Sequence, residues 1–235
     1  MKSVLILLFS ALTIHSFGQT IINDPNTEVR NVTPFSGIKT SDGIDIYLSQ
    51  SDSYALAVSA SDKKYIDYIK TEIKNGVLVI SYDGSSFKYN SNRRLRAYIS
   101  FKDIESLEAS GACNYIISGT LSTNSLKIKL SGASEINGAI NIENLQVDIG
   151  GASTVKVSGT VQNLKIDAGG ASDVKNYELV ADNCVANLEG ASDVKITVSK
   201  SLIAKANGAS TLYYKGNPDK KDVRSEGASS ISQRE

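Results

Sequence analysis

Apolar and polar residues alternate strictly at several places along the second half of the chain. The apolar residues stand six, four and two positions before a glycine, as Leu145, Val147 and Ile149 do before Gly151. Lys, Gln, Asp, Asn or Glu residues fill the positions between them, and another apolar residue follows four positions after the glycine. Period-two alternation is typical of a strand with one buried face. We therefore predict short strands on both sides of each glycine.

The glycines belong to a triplet, Gly-Ala-Ser or Gly-Ala-Cys, that recurs every 18 to 21 residues. A fixed period near twenty indicates a solenoid. No copy keeps a helical period, and the spacing of leucine-rich repeats is missing. Stacked copies would align their apolar residues into continuous interior stripes. The sequence therefore predicts an all-β parallel β-helix of about seven rungs, whose corner glycines are Gly111, Gly132, Gly151, Gly170, Gly190, Gly208 and Gly227.

The triplet suits a corner because glycine adopts backbone angles closed to other residues and serine bonds nearby backbone groups. It does not match a phosphate-binding loop, which needs a following Lys-Ser/Thr and a helix. Asn144, Asn163 and Asn183 recur seven positions before their glycines. We interpret them as a hydrogen-bonded amide ladder; a row of glycan-binding amides is the alternative.

Residues 19–104 lack the triplet and form a β-rich section that we expect to cover the first rung of the repeat region, residues 105–235. Within it, Asp62 can cap a short helix that carries Ile66, Ile69 and Ile73 on one face and stops at Asn75-Gly76. At the far end, Lys221 and Ser225 take positions that are apolar in other copies. A terminal rung that faces water should become polar in this way.

Residues 1–18 are predicted to be a signal peptide, with Lys2 before an apolar run and a small-residue exit at 16–18. The run is short for a membrane span, so a retained anchor is the less favoured alternative. Removing Lys2 changes the net charge from 0 to −1 (0 − 1), since residues 1–18 hold no acid. A near-neutral chain has no general attraction for nucleic acid, and we expect no membrane span.

The one histidine of the sequence is His15, inside the predicted signal peptide. The mature protein would then lack a histidine base, nucleophile partner or metal ligand. Cys113 replaces a corner serine and Cys184 an inward leucine, three to four rungs apart, or roughly 14–19 Å. Because a disulfide needs Cα atoms within roughly 7 Å, we predict two free thiols.

Acidic residues recur on the predicted outer faces, but their columns are interrupted and the glycine-rich calcium-binding repeat is missing. We expect neither a metal ion nor a cofactor. A pair of carboxylates could hydrolyse a polysaccharide, but no pair stands out. Tyr213 and Tyr214 are candidates for a binding surface, since exposed tyrosines stack on sugars or anchor protein contacts.

The stretch "FSGIKTSDGIDIYLSQ" (35–50), the "NGVLVISY" segment (75–82) and the Gly-Ala-Ser train together resemble the bacterial head GIN domain family, over roughly residues 29–235. That family carries the label "putative auto-transporter adhesin" and is common in exported proteins of Bacteroidetes-type bacteria. The resemblance implies a right-handed β-helix, an envelope location and no catalytic residues. Because the chain ends eight residues after Gly227 (235 − 227), we expect no transport module after the repeats.

The sequence thus predicts a non-enzymatic, exported envelope protein, located in the periplasm, on the outer surface or outside the cell. Its rigid faces would bind a surface glycan or a protein. Flat β faces can also bind to one another, so self-association is a further expectation. Two alternatives stay open, a polysaccharide-processing enzyme and a purely structural scaffold.

Overall fold

The computed structural model describes residues 24, 26–84 and 93–235, so the predicted signal peptide lies outside the described part. Within it the chain forms strands, turns and one 3₁₀ helix, Lys63–Tyr68. The strands, in chain order, are β1 (Thr27–Arg30), β2 (Gly37–Thr40), β3 (Ile44–Gln50), β4 (Ala55–Ser59), β5 (Ile69–Lys74), β6 (Val77–Tyr82), β7 (Leu95–Phe101), β8 (Ser106–Ala109), β9 (Asn114–Leu130), β10 (Glu135–Ile149), β11 (Thr154–Ala168), β12 (Asp173–Leu188), β13 (Asp193–Ala206), β14 (Thr211–Lys215), β15 (Lys220–Ser225) and β16 (Ser230–Gln233).

Strands β9 to β13 each wrap round one coil of a β-solenoid and pair in parallel with the next coil. The register places Leu145 beside Leu164, Leu164 beside Cys184, and Cys184 beside Leu202. All four side chains are buried, as the alternation predicted. The predicted stack of parallel coils around an apolar interior is confirmed.

The triplet glycines lie in the tight turns that join one coil to the next, with φ between +70° and +83°. At Gly151 the contact between coils is close: an added Cβ would lie 2.5 Å from the carbonyl oxygen of Gly132. The next amide in the same turn, Ala152 N, donates to that oxygen at 2.7 Å. The triplet serines from Ser134 to Ser210 are buried, and Ser210 Oγ, for example, donates to the carbonyl of Asn207 at 2.8 Å.

The N-terminal section contributes coils of its own as well as a cover. Strands β2 and β3 pair in parallel with β8 and β9 around a turn at Asp42-Gly43, where φ is +70° and +76°. An Asp-Gly pair reaches positive φ as the triplet does, so this corner exists without the repeat signature. Strands β6 and β7 stack in parallel on the other side of β2 and β3. Strands β1, β4 and β5 then close that end with antiparallel pairing.

The predicted helix from Asp62 to Asn75-Gly76 is wrong over its second half. Asp62 caps the 3₁₀ helix, since its Oδ1 accepts from Lys64 N at 3.1 Å. From Ile69 onward the chain is strand β5, which pairs antiparallel with β6. Asn75 and Gly76 have φ of 51° and 76°, the backbone of a two-residue hairpin turn. The Asn-Gly pair between two strand-forming segments joins them instead of ending a helix.

The C-terminal coil, β15 and β16, is mostly exposed, and Lys221 lies in water with its Nζ 3.3 Å from the Tyr214 hydroxyl. Both cysteines, Cys113 and Cys184, are free and buried. In the described part of the chain, no helix is long and apolar enough to cross a membrane.

Candidate functional site

One outward row of side chains runs the length of the solenoid, on the sheet formed by the segments that follow each corner. It crosses eleven strands in the order β1, β4, β7, β3, β9 to β14 and β16. We call it the post-corner row; its members are Val29, Ala57, Tyr98, Tyr47, Ile116, Asn137, Lys156, Lys175, Lys195, Tyr213 and Ser232.

The first half of the post-corner row is apolar and aromatic. The rings of Tyr47 and Tyr98 stack with centroids 5.0 Å apart and planes 20° apart. Ile116 follows Tyr47 on the next strand, and Val29 at the N-terminal end is 56% exposed. Aromatic cross-strand pairs stabilise a sheet, and these rings also offer an amphipathic surface to a ligand.

The second half of the post-corner row is cationic, with one lysine on each of three successive coils. Each lysine has a carboxylate within reach: Lys156 Nζ lies 3.0 Å from Glu135, and Lys175 Nζ 2.9 Å from Asp173. Lys195 Nζ is 3.6 Å from Asp193. The hydrogen bond to Asp173 raises the pKa of Lys175 above its ordinary value.

A β-bulge in β12 interrupts the register beside these lysines, between Asn176 and Val180. The buried Asn176 side chain repairs the ladder, since its Oδ1 accepts from Val157 N at 2.8 Å. The extra residues project Tyr177 and Glu178 outward. With the three lysines they line a shallow groove, which we call the lysine groove.

Two further cations lie over tyrosine rings at this end. The Arg234 guanidinium is 4.1 Å from the Tyr213 ring centroid, and the Lys215 ammonium is 5.4 Å from that of Tyr177. Among the described residues, no carboxylate oxygen lies within 4.0 Å of either cation, the longest distance of an ion pair. These contacts hold both side chains in place without neutralising them.

The structure separates the two tyrosines that the sequence singled out. Tyr213 faces outward at the end of the lysine groove, whereas Tyr214 is only 3% exposed and packs in the core. Neighbouring residues of a strand point to opposite faces, so Tyr214 cannot contribute to an outer binding surface. The sequence interpretation also missed the lysines, although "VKV", "VKN" and "VKI" repeat a lysine five positions after three successive triplet glycines.

The predicted amide ladder is confirmed. Asn163 Nδ2 donates to Asn144 Oδ1 at 3.0 Å, and Asn183 Nδ2 donates to Asn163 Oδ1 at 3.0 Å. The three amides therefore bond to one another across coils.

Two aspartates outside the groove, Asp167 and Asp182, are held in their ionised form. Burial alone would raise the pKa of Asp167, but hydrogen bonds from Asn187 and Lys165 outweigh it and lower the pKa. At Asp182 a hydrogen bond from Lys200 lowers the pKa. A general acid for glycoside cleavage needs a raised carboxyl pKa. No group of three potential metal ligands comes together within the described residues.

Comparison with solved structures shows the fold. A structure described as a putative adhesin from Bacteroides fragilis is 23% identical, has a TM-score of 0.82, and matches over 88% of this chain and 96% of its own. One described as a putative lipid binding protein from Parabacteroides distasonis is 22% identical, with a TM-score of 0.70 and coverage of 91% and 98%. A putative adhesin from Parabacteroides merdae is 18% identical, with a TM-score of 0.65 and coverage of 89% and 95%.

At the level of families, residues 34–218 match the one described as "Putative auto-transporter adhesin, head GIN domain". No curated protein matches the chain.

Proposed function

Because the chain belongs to the head GIN domain family, we propose that it is an exported, non-enzymatic adhesin module that binds a macromolecule through the post-corner row. The predicted signal peptide supports export to the envelope. Two of the similar structures are described as putative adhesins, which supports the same function.

The observation that carries this proposal is the post-corner row, which crosses eleven strands in one sheet with its ladder interrupted only beside the bulge in β12. Ten interstrand steps of ~4.8 Å give the row a length of about 48 Å. Its backbone is fixed by hydrogen-bonded ladders, antiparallel between β1, β4 and β7 and parallel beyond them, so binding would cost little loop ordering. A long and rigid row suits an extended partner better than a small molecule.

A polysaccharide-processing enzyme is the weaker alternative. The clearly shifted aspartate pKa values of the described chain, at Asp24, Asp62, Asp167 and Asp182, are all lowered. Aspartates with lowered pKa values stay ionised, so they favour charged contacts over proton donation. The buried thiol of Cys184 has its pKa raised to about 12 by desolvation, which suppresses the nucleophilic thiolate.

The test is retention of the protein on a panel of immobilised acidic polysaccharides, neutral polysaccharides and envelope proteins. We expect saturable retention without release of products. The double variant Tyr47→Ala/Lys175→Ala should bind less, because both residues belong to the post-corner row. The matched variant Lys127→Ala/Val185→Ala alters the sheet on the other side of the corner and should bind normally. Release of cleaved product, or no retention on any surface, would contradict the proposal.

A further inference from the structure

We propose that the lysine groove binds an acidic polysaccharide whose carboxylate or sulfate groups lie along the solenoid axis. This inference rests on the proposed function. The groove is lined by Lys156, Lys175 and Lys195 together with Tyr177 and Glu178, and Tyr213 lies beside Lys195 on the next strand.

The lysines keep donors available for such a ligand. An ammonium group has three N–H donors, and the one carboxylate within reach of each lysine leaves others free. Because the three lysines occupy successive coils, they offer one cation about every 4.8 Å. A polymer with one anion on each sugar can meet this repeat in register.

The surplus positive charge comes from Lys215 and Arg234, which are held over tyrosine rings and have no carboxylate partner in the described chain. Each follows the row member of its strand by two residues, whereas Asp173 and Asp193 precede Lys175 and Lys195 by two, so the register places the two cations on the side of the row away from these carboxylates. A bound anion on that side would meet uncompensated cations. Glu178, on the exposed rim, opposes this attraction.

The bulge in β12 adds a wall to an otherwise flat face. Bulges re-aim side chains and are frequent beside binding sites. This one is built in by the buried Asn176 hydrogen bond to Val157 N, and it raises Tyr177 beside Lys175. Tyrosine presents an apolar ring and a polar hydroxyl, a combination that suits contact with a sugar.

The spacing and charge favour a polysaccharide over nucleic acid. Duplex DNA carries one charge per ~1.7 Å of axis, about threefold denser than the lysine repeat. The lysine repeat therefore matches one anion on each sugar better than the phosphates of a duplex.

The experiment measures binding of polygalacturonate to the full-length mature protein at low and at physiological ionic strength. Relative to the wild type, Lys215→Gln/Arg234→Gln should weaken binding by about three- to tenfold. Glu178→Gln should strengthen it by about twofold, since it removes a repulsive charge. The matched control Lys129→Gln/Lys205→Gln removes the same charge from exposed positions on the other sheet and should leave affinity unchanged. All changes lie at the surface, and a thermal melt of each variant checks its folding.

If the control pair weakened binding equally, the effect would come from the overall charge of the protein and not from the groove, and the proposal would be overturned. Unchanged binding of Lys215→Gln/Arg234→Gln would also overturn it, as would stronger competition by duplex DNA or anionic vesicles than by polygalacturonate. Retention on neutral glycans or proteins alone would contradict this inference but agree with the proposed function. Retention on nothing would remove both.

Discussion

Replacing Gly151 by alanine tests the stacking of the corners, and Gly76→Ala provides a matched control. Both glycines have positive φ, +70° and +76°. They differ in what surrounds them. An added Cβ at Gly151 would lie 2.5 Å from the backbone oxygen and 3.0 Å from the backbone nitrogen of Gly132, whereas one at Gly76 has nothing within 4 Å.

The magnitude follows from two separate costs. Left-handed backbone costs an alanine about 1–2 kcal/mol, and both variants lose this amount. At Gly151 the coils must also move apart, and overpacking costs typically about 1–3 kcal/mol more. Gly76→Ala should therefore lose about 1–2 kcal/mol of unfolding free energy and Gly151→Ala about 2–5 kcal/mol. For a chain of this size each kcal/mol lowers the Tm by roughly 2–4 °C.

Urea denaturation followed by circular dichroism measures both values, and thermal melts check their order. The slopes of free energy against urea should stay equal, so that the difference reflects the native state. If Gly151→Ala costs no more than Gly76→Ala, the corners are not in backbone contact and the in-register stack is wrong.

Three further outcomes are expected. Asn163→Ala breaks both hydrogen bonds of the amide ladder and should lower the free energy of unfolding, measured by urea denaturation, by about 1 kcal/mol. An unchanged free energy would show that the ladder has no structural role. Cys113 and Cys184 are buried, so the folded protein should resist a thiol reagent and the unfolded protein should react twice; a reductant-dependent mass would contradict this. Burial alone would raise the pKa of Asp24, but hydrogen bonds from Ser59, Asn26 N and Arg96 lower it below 3.8. The stability that Asp24 adds is then full at neutral pH and is lost progressively as pH falls below 3.8. Asp24→Asn should therefore destabilise the protein more at pH 7 than at pH 2, and equal destabilisation at both would contradict the ion pair.

The repeat region could be predicted because each copy repeats the same physical requirement. An inward residue such as Leu145 or Ile166 recurs at one place in every coil, and the corner glycine recurs with it. The coil around Asp42-Gly43 was not predicted, because its corner reaches the same positive φ with different residues. The stacking of β6 and β7 on β2 and β3 depends on pairing between distant segments, which local patterns do not encode.

The candidate site was less predictable. Tyr213 and Tyr214 looked equivalent as a pair, although the inward position of Leu212 already implies that Tyr214 points inward and Tyr213 outward. The bulge at Asn176 shows in the sequence only as an interval of 20 residues between Gly170 and Gly190. Its consequence, a wall beside the lysines, depends on three-dimensional packing.

The most direct test of a binding face on the post-corner row is alkylation of a single introduced thiol. The native cysteines are buried, so Lys195→Cys reports the row and Lys205→Cys reports the other sheet. Saturating polygalacturonate should slow alkylation severalfold at position 195 and leave position 205 unchanged. An unaltered rate at position 195, or protection at position 205, would contradict the account.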